Sequence, residues 1–501
     1  MGYIGRVLYD DNGLVIRRTD DDLVYYDDYD GNYVKLSTTD TTLGLDTSAG
    51  FILVDGTTGV SVYDTSASGT QTATGLISSR IYYITFKGTT SSDYFKIKSN
   101  TITKCHLFDI GDITTFYQTF YYLTKMTTFT CDADLRYVTS FYQTFYNCAS
   151  LTSIPTGLFD YNIVVTDFEQ TFYYCTSLTS IPTGLFDYNI AVTNFYYTFY
   201  SCTSLISIPT DLFKYNPAIT TFNGTFQYCT LLTTIPTGLF DHNPVVEDFY
   251  TTFYGCSSLI TIPDNLFKYN IAVTIFSHTF IYCSSLTSIP TGLFDYNTAV
   301  TSFSSTFNEC TSLTSIPTDL FKYNIAVTNF SQTFQDCSSL TSIPTDTFRY
   351  NTAVTTFSQT FQECTSLITI PDDLFKYNTG VTTFSTTFRE CSSLTSIPTD
   401  LFDYNTAVTS FYQTFFNCYK LQLNRNIFYA DGEQTTRFLN KSVNFTACFN
   451  RTSFTGTIGE APDLWNCDFG TGTPTKTSCF AGAGNSLTSL SNYASIPVDW
   501  I

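Results

Sequence analysis

Histidine is almost absent from this chain, with three in 501 residues, at positions 106, 242 and 278. The signatures that organise catalytic chemistry are missing with it: there is no G-x-S-x-G, no glycine-rich phosphate loop, no H-E-x-x-H and no C-x-x-C. Carboxylates such as Asp160, Asp187 and Asp295 recur at repeated places, whereas a glycosidase needs two carboxylates set apart in one cleft. These absences point away from an enzyme, a zinc site and any cofactor. Lysine and arginine number 23 against 43 acidic residues, for a formal charge of −20 and a pI near 4.3. With no basic stripe, such a surface repels a nucleic-acid backbone and an anionic membrane face alike. No run approaches the roughly 18 apolar residues of a spanning helix, so membrane insertion is not expected.

Aromatic side chains are abundant instead, at 17% of the chain, as 38 tyrosines and 47 phenylalanines. So much apolar surface excludes a disordered chain. It is also laid out with a fixed period. Cysteines stand at 148, 175, 202, 229, 256, 283, 310, 337, 364, 391 and 418, a constant step of 27. From Cys175 the repeated sentence reads C-T-S-L-T-S-I-P-T-G-L-F-D-Y-N-I-A-V-T-N-F-Y-Y-T-F-Y-S. A period of this size marks a solenoid, because one copy cannot bury its apolar residues alone and stacked copies can. Leu178, Ile181, Leu185, Phe186, the Tyr188-Asn189 pair, Val192, Phe195 and Phe199 are expected to form apolar rows from coil to coil. L-T-S-I from Leu178 resembles V-T-N-F from Val192, so each copy reads as two short parallel strands, each followed by a tight helical or 3₁₀ turn. Pro182 ends the first strand, and Phe195 and Phe199, four apart, share one face of the second turn.

The pattern C-x-S-L-x-x-I-P-x-x-L-F-x-Y-N-x-x-V-T-x-F-x-x-T-F resembles the BspA-type leucine-rich repeat found in surface proteins of mycoplasmas, gut bacteria and their phages. The resemblance covers roughly residues 113 to 501. It implies a leucine-rich-repeat solenoid and attachment to cells or surfaces, without implying a ligand. Surface proteins of that kind made by a cell carry an export signal. The start M-G-Y-I-G-R-V-L-Y-D-D has no basic stretch followed by an apolar one, which suggests a protein exposed on a virion, with a cell surface as the alternative.

Taken in order, residues 1–40 read as an attachment segment of hairpins turning at Asp11-Asn12-Gly13 and Asp30-Gly31-Asn32. The acidic cluster Asp20, Asp21, Asp22, Asp27, Asp28 and Asp30 lacks the spacing of an EF-hand and reads as a solvated turn. Residues 41–104 alternate β-rich runs with Gly, Ser and Thr, as a small sandwich-like domain does. Residues 105–147 form a degenerate capping repeat with a step of 25, 148–418 hold ten regular repeats, and 419–501 loosen into irregular coils and a cap carrying Trp465 and Trp500.

Eleven cysteines in a ladder point their side chains the same way, which disfavours disulfides between them and favours small buried thiols. Variation among copies is the best functional signal. The positions flanking T-F are aromatic in early copies, at Tyr173, Tyr174, Tyr196, Tyr197, Tyr200, Tyr228, Tyr250, Tyr254 and Tyr282, and acidic or amide later, at Glu309, Asp336 and Glu363. Tyrosine supplies rigid amphipathic contact area for glycans or proteins, although the same rings also suit covering neighbouring coils. Rows of Thr and Ser at Thr179-Ser180 suggest an ice-binding array, which Ile206, Ile260 and Ile368 interrupt. The expected function is that of a non-enzymatic attachment protein: a phage tail or head fibre component, or alternatively a bacterial or protist adhesin. Its N-terminal module would join other virion or surface proteins, its rod would meet a host protein or glycan, and the chain is a candidate homo-oligomer.

Overall fold

The computed structural model describes residues 113–428 without a break, then 436–452, 459–483 and 490–501. Before them it describes 7–9, 15–18, 24–26, 33–38, 42–47, 51–55, 61–74, 76, 81–86, 94–98 and 101–107. The acidic residues from Asp20 to Asp30 lie outside the described residues. The chain divides into two units, Met1–Leu232 and Thr233–Ile501.

Runs rich in valine, isoleucine and tyrosine make the first unit begin with strands. In order they are β1 (Val7–Tyr9), β2 (Val15–Arg18), β3 (Val24–Tyr26), β4 (Tyr33–Thr38), β5 (Thr42–Thr47), β6 (Phe51–Asp55), β7 (Ser61–Thr65), β8 (Gly69–Thr74), β9 (Ile81–Phe86), β10 (Phe95–Ile97), β11 (Ile102–Leu107) and β12 (Thr128–Cys131). They form three sheets ordered β1-β2-β3, β10-β5-β8 and β12-β11-β4-β9-β6-β7. β1 and β2 pair antiparallel across the expected turn at Asp11-Asn12-Gly13, with Leu8 opposite Ile16. Asp30-Gly31-Asn32 lies outside the described residues, and among the described strands β3 and β4 do not pair with each other as a hairpin there would require. β3 pairs with β2, and β4 takes β9 and β11 as neighbours. A central place in a six-stranded sheet satisfies both edges of β4, where a hairpin would satisfy one. These pairings run across positions 40 and 104, where the sequence suggested boundaries.

The sheet leads directly into the coils. β12 lies parallel to β11 with Phe129 opposite Cys105. Beside it the Thr127 N–H donates to the Thr103 carbonyl at 2.8 Å, Thr152 to Thr127 at 3.4 Å, and Thr179 to Thr152 at 3.4 Å. The edge that a sheet would otherwise expose is therefore taken by the first coils. Residues 105–147 join sheet to coils, where the sequence suggested an outward-facing cap.

Within each unit, successive coils meet through single-residue parallel bridges: Ser140–Asp167–Asn194–Thr221 in the first, and Ile275–Ser302–Asn329–Thr356–Thr383–Ser410 in the second. Apart from β12, residues 113–428 contain no longer strand and no helix. The expected strands and helical turns are replaced by corners. Each coil closes at left-handed residues such as Gly184 (φ 75°), Tyr197 (φ 53°) and Ser201 (φ 54°), or Asp319 (62°), Gln332 (59°) and Asp336 (52°). A left-handed residue ends a right-handed helical turn. Phe195 and Phe199 thus flank the corner at Tyr197, and the Thr198 N–H closes it on the Phe195 carbonyl at 3.1 Å.

Leu178, Phe186, Val192, Phe195, Phe199 and Cys202 are fully buried, and their counterparts in other coils match them. Phenylalanines stack in columns: Phe145 on Phe172 at 5.3 Å, Phe172 on Phe199 at 5.5 Å, and in the second unit Phe280 on Phe307 at 5.6 Å. Neighbouring columns meet tilted, as Phe168 and Phe186 do at 4.8 Å and 53°. Parallel rings along a column and tilted rings between columns suit the aromatic quadrupole. Each such ring contributes roughly 2 to 3 kcal/mol by burial.

Tyr188 and Asn189 separate. Tyr188 is 54% exposed, whereas Asn189 is fully buried and its amide donates to the Phe159 and Asn162 carbonyls of the previous coil at 3.0 and 2.9 Å. Asn270, Asn297, Asn324, Asn351, Asn378 and Asn405 repeat the arrangement in the second unit. Two further side chains reach backwards. The Thr306 hydroxyl lies 3.1 Å from the Phe276 carbonyl of the previous coil and 2.7 Å from Phe303 of its own, and the Cys310 thiol lies 3.3 Å from Phe280. All sixteen cysteines are free, and all but Cys131 and Cys467 are buried. Burial pushes the ladder thiols, such as Cys202 and Cys283, well above their ordinary pKa, so they remain protonated donors.

Beyond Cys418 the aromatic column continues through Phe449, 5.7 Å from Phe415, and Phe480, 5.5 Å from Phe449. Trp500 is buried 6.0 Å from Phe445, and Trp465 lies 6.0 Å from Phe480. Replacing Asn324 with alanine should lower stability by roughly 1 to 3 kcal/mol, since it removes two buried amide bonds. Tyr323→Ala, next to it and exposed, should shift the urea midpoint far less. Equal shifts would show that the amide does not tie the coils.

Candidate functional site

The aromatic residues beside Thr-Phe project from the corners that follow each Phe column. In the first unit Tyr121, Tyr146, Tyr173 and Tyr200 stack at 4.8, 4.5 and 4.4 Å. Tyr174 meets Tyr173 at 4.8 Å, Tyr196 meets Tyr197 at 4.1 Å, and Tyr200 meets Tyr197 at 5.2 Å and Tyr228 at 5.5 Å. Six of the sequence-derived candidates, Tyr173, Tyr174, Tyr196, Tyr197, Tyr200 and Tyr228, therefore form one aromatic cluster. In the second unit Tyr254 and Tyr282 meet at 5.3 Å, and Tyr250 packs on His278 at 5.1 Å. Much of this surface is spent on neighbours: of the nine, Tyr174, Tyr250 and Tyr282 are exposed, at 40%, 38% and 40%. Burial, followed by adjacent phenols, pushes the pKa of Tyr200 up to about 12, and burial with Tyr196 does the same for Tyr197. The Tyr197 ring also fills the space beside Gly224, where a Cβ would come within 2.0 Å of it.

Later in the second unit the same places carry a polar column. The backbone N–H groups of Glu309, Asp336 and Glu363 each donate to the next coil at 2.7 Å, which fixes these residues one coil apart. Gln362 donates to Glu363 at 2.8 Å, and Arg389 pairs with Glu390 at 2.7 Å. Burial, then Glu363 and Glu309, raises the Asp336 carboxyl to about 6.

A second tyrosine face, read from the sequence as part of the apolar rows, is exposed. It comprises Tyr161, Tyr188 and Tyr215 in the first unit, and Tyr269, Tyr296, Tyr323, Tyr350, Tyr377 and Tyr404 in the second. The residue before each tyrosine follows a rule visible within the repeats. Where the second residue after the proline is glycine, at 157, 184, 238 and 292, the residue before the tyrosine, or before His242 that replaces it in one copy, is aspartate, at 160, 187, 241 and 295. Where it is Asp or Asn, at 211, 265, 319, 346 and 373, the partner is Lys or Arg, at 214, 268, 322, 349 and 376. The reason is local. Aspartate folds back over the glycine, so that a Cβ on Gly157 would come 2.9 Å from an Asp160 oxygen. Lysine or arginine instead pairs with the corner aspartate, as Lys376 does with Asp373 at 3.0 Å and Lys322 with Asp319 at 3.3 Å. The same cations sit over tyrosine rings: Lys268 over Tyr269 and Tyr296 at 5.3 and 5.7 Å, and Arg349 over Tyr350 and Tyr377 at 5.9 and 5.1 Å. Asp400 and Asp403 break the rule, and there Arg437 supplies the cation, 4.0 Å from Asp403.

The face opens into a cleft at its start. The Asn162 amide donates to the Leu135 carbonyl, so Leu135 stands where later coils place asparagine, and Asp134 where they place tyrosine. With Asp134 in the tyrosine's place, Tyr161 is 63% exposed against 48% for Tyr215, Tyr269 and Tyr296. The cleft has a volume of about 500 Å³ and is lined by Arg136, Tyr137, Asp160, Tyr161, Val164 and Tyr188, with Ile163. Among the described residues no helix is long and apolar enough to cross a membrane.

Stacked coils tied by repeated side-chain bonds around a phenylalanine and leucine core define a repeat solenoid. The chain belongs to the family described as "Mycoplasma protein of unknown function, DUF285", whose profile matches residues 89–211, 247–368 and 328–451, well over half of the sequence. No curated protein matches. Among solved structures, the leucine-rich repeat protein of T. pallidum is 15% identical, covering 38% of this chain and 86% of that one, with a TM-score of 0.21. A leucine-rich cell surface protein of Faecalibacterium prausnitzii is 19% identical over 57% of this chain and 76% of its own, at TM-score 0.19. A chain of the Drosophila Toll–Spatzle complex is 15% identical, covering 74% of this chain and 43% of that one, at TM-score 0.25.

The polar column yields a pH prediction. Asp336 ionises near 6 in the folded chain and near 4 when unfolded, so the unfolded state releases its proton first and stability should fall as pH rises from about 4 to 6. Asp336→Asn should flatten that part of the profile in urea melts at pH 4, 5 and 6.5. A profile unchanged by the substitution would place the pH dependence elsewhere.

Proposed function

We propose that this chain is a non-enzymatic attachment protein of a cell surface, whose coils hold tyrosine-rich faces toward a host protein or glycan. The observation that carries the reading is where the copies differ. Their buried residues are nearly identical, and the differences concentrate at corner positions, tyrosine in one part and acid or amide in another. A scaffold with an invariant interior and a varied aromatic exterior suits recognition. The N-terminal strands are the proposed link to other proteins of the surface assembly, and self-association through them belongs to the same proposal. The family's description names mycoplasma proteins, which favours a cell over the virion setting suggested by the sequence.

Antibody to residues 419–501 should label intact cell envelopes, and labelling confined to virus-like particles would move the proposal to the virion. The purified full chain should adhere to host cells. Tyr174→Ala combined with Tyr200→Ala should reduce adhesion several-fold while the thermal melt stays within a few degrees. Unchanged adhesion by a folded double variant would remove the tyrosine cluster as the contact surface.

A further inference from the structure

We infer that the cleft beside the short first coil binds an alkylammonium group, such as the trimethylammonium head of choline. Its walls combine the three features such a cation needs. Tyr137, Tyr161 and Tyr188 present rings that are 62%, 63% and 54% exposed. Aromatic faces attract a cation lying within about 6 Å of the ring centre, and quaternary ammonium is the form most often held this way. Ile163 and Val164, 59% and 44% exposed, supply apolar surface for methyl groups. Asp160 supplies the countercharge, its carboxylate fixed over the turn at Gly157.

The cleft's own cation is already neutralised. Arg136 Nε lies 2.6 Å from Asp134 Oδ2, and the Arg136 N–H donates to Asp134 Oδ1 at 3.0 Å. The wall therefore carries excess negative charge, which disfavours a phosphate or carboxylate ligand. The volume of about 500 Å³ lies within the range of small-molecule sites.

The second unit shows what this face does elsewhere. Its tyrosines take cations from the chain itself, Lys268 over Tyr296, Lys322 over Tyr323 and Arg349 over Tyr377. At 160 and 187 the repeat carries aspartate in place of lysine, and among the described residues no lysine or arginine lies over Tyr161 or Tyr188. The rings of the cleft are left to a cation from outside.

The inference rests on the reading of the chain as a binding protein, but its test does not involve cells, so its failure would leave surface attachment standing. The full-length protein is titrated with choline chloride, and with the neutral alcohol in which carbon replaces the ammonium nitrogen, by calorimetry. Choline should bind saturably, and the alcohol at least about threefold more weakly. Asp160→Asn and Tyr161→Ala should each weaken choline by a similar factor, whereas Tyr296→Ala, on the same face of the second unit, should not. Thermal melts confirm that each variant folds, and Asp160→Asn alone suffices if Tyr161→Ala does not. Absence of saturable choline binding, equal binding of the alcohol, or folded cleft variants that bind like the parent would each overturn the inference.

Discussion

A buried asparagine amide that reaches back to the preceding coil is the interaction on which the repeats depend. Asn189 reaches Phe159 and Asn162, and Asn324 reaches Phe294 and Asn297, with nearly the same distances. Backbone bonds between coils, such as Phe172 N–H to the Thr198 carbonyl at 2.9 Å, leave other carbonyls, such as those of Phe159 and Phe276, to be met by side chains. Asparagine, threonine and cysteine side chains take over that work at the corners. Their bonds hold only if the count of residues between partners is constant, which is why the period does not drift. The first coil shows the exception: Thr144 meets the Phe116 carbonyl across 28 residues, where later threonines span 30.

With the interior committed in this way, differences between copies collect where they cost least. At the corners, Tyr197, Gln332 and Gln359 hold the same left-handed backbone with different side chains. On the second face the glycine–aspartate and aspartate–lysine pairings interchange as units, since either partner alone would clash or lose its countercharge. Exposed ion pairs of this sort add little stability. Their effect is to decide which tyrosines carry a cation and which do not.

The period, the rows of Leu, Ile, Val and Phe, and the free thiols were legible in the sequence, because burial repeats with the chain. The separation of Tyr188 from Asn189 was not, since hydropathy ranks tyrosine as the more buried and only the carbonyls beneath Asn189 reverse the order. Gly184 and Asp319, two places after the proline, are residue types that adopt a left-handed corner readily, a signal the reading of tight helical turns passed over. Tyr197 and Gln332 gave no such signal, because the surrounding coil imposes the conformation on any side chain. The hairpin expected before β4 failed for a different reason: its strand finds partners far along the chain, beyond the reach of turn chemistry. As for the candidate site, the sequence offered the corner tyrosines both as contact area and as cover for neighbouring coils, and the ring contacts among Tyr173, Tyr174, Tyr196, Tyr197, Tyr200 and Tyr228 show the covering. The cleft was foreshadowed only by a step of 25 where later steps are 27.

Because each coil's amide, hydroxyl and thiol reach no further than the coil before it, the interior of the solenoid does not record how many coils it has. Losing or duplicating one whole 27-residue copy brings every donor to an equivalent acceptor, whereas losing any other number of residues leaves the next amide facing the wrong carbonyl. Unequal recombination between copies in the gene would thus yield folded products in discrete lengths. Such products would differ in how many copies of each corner they carry without changing a single contact inside.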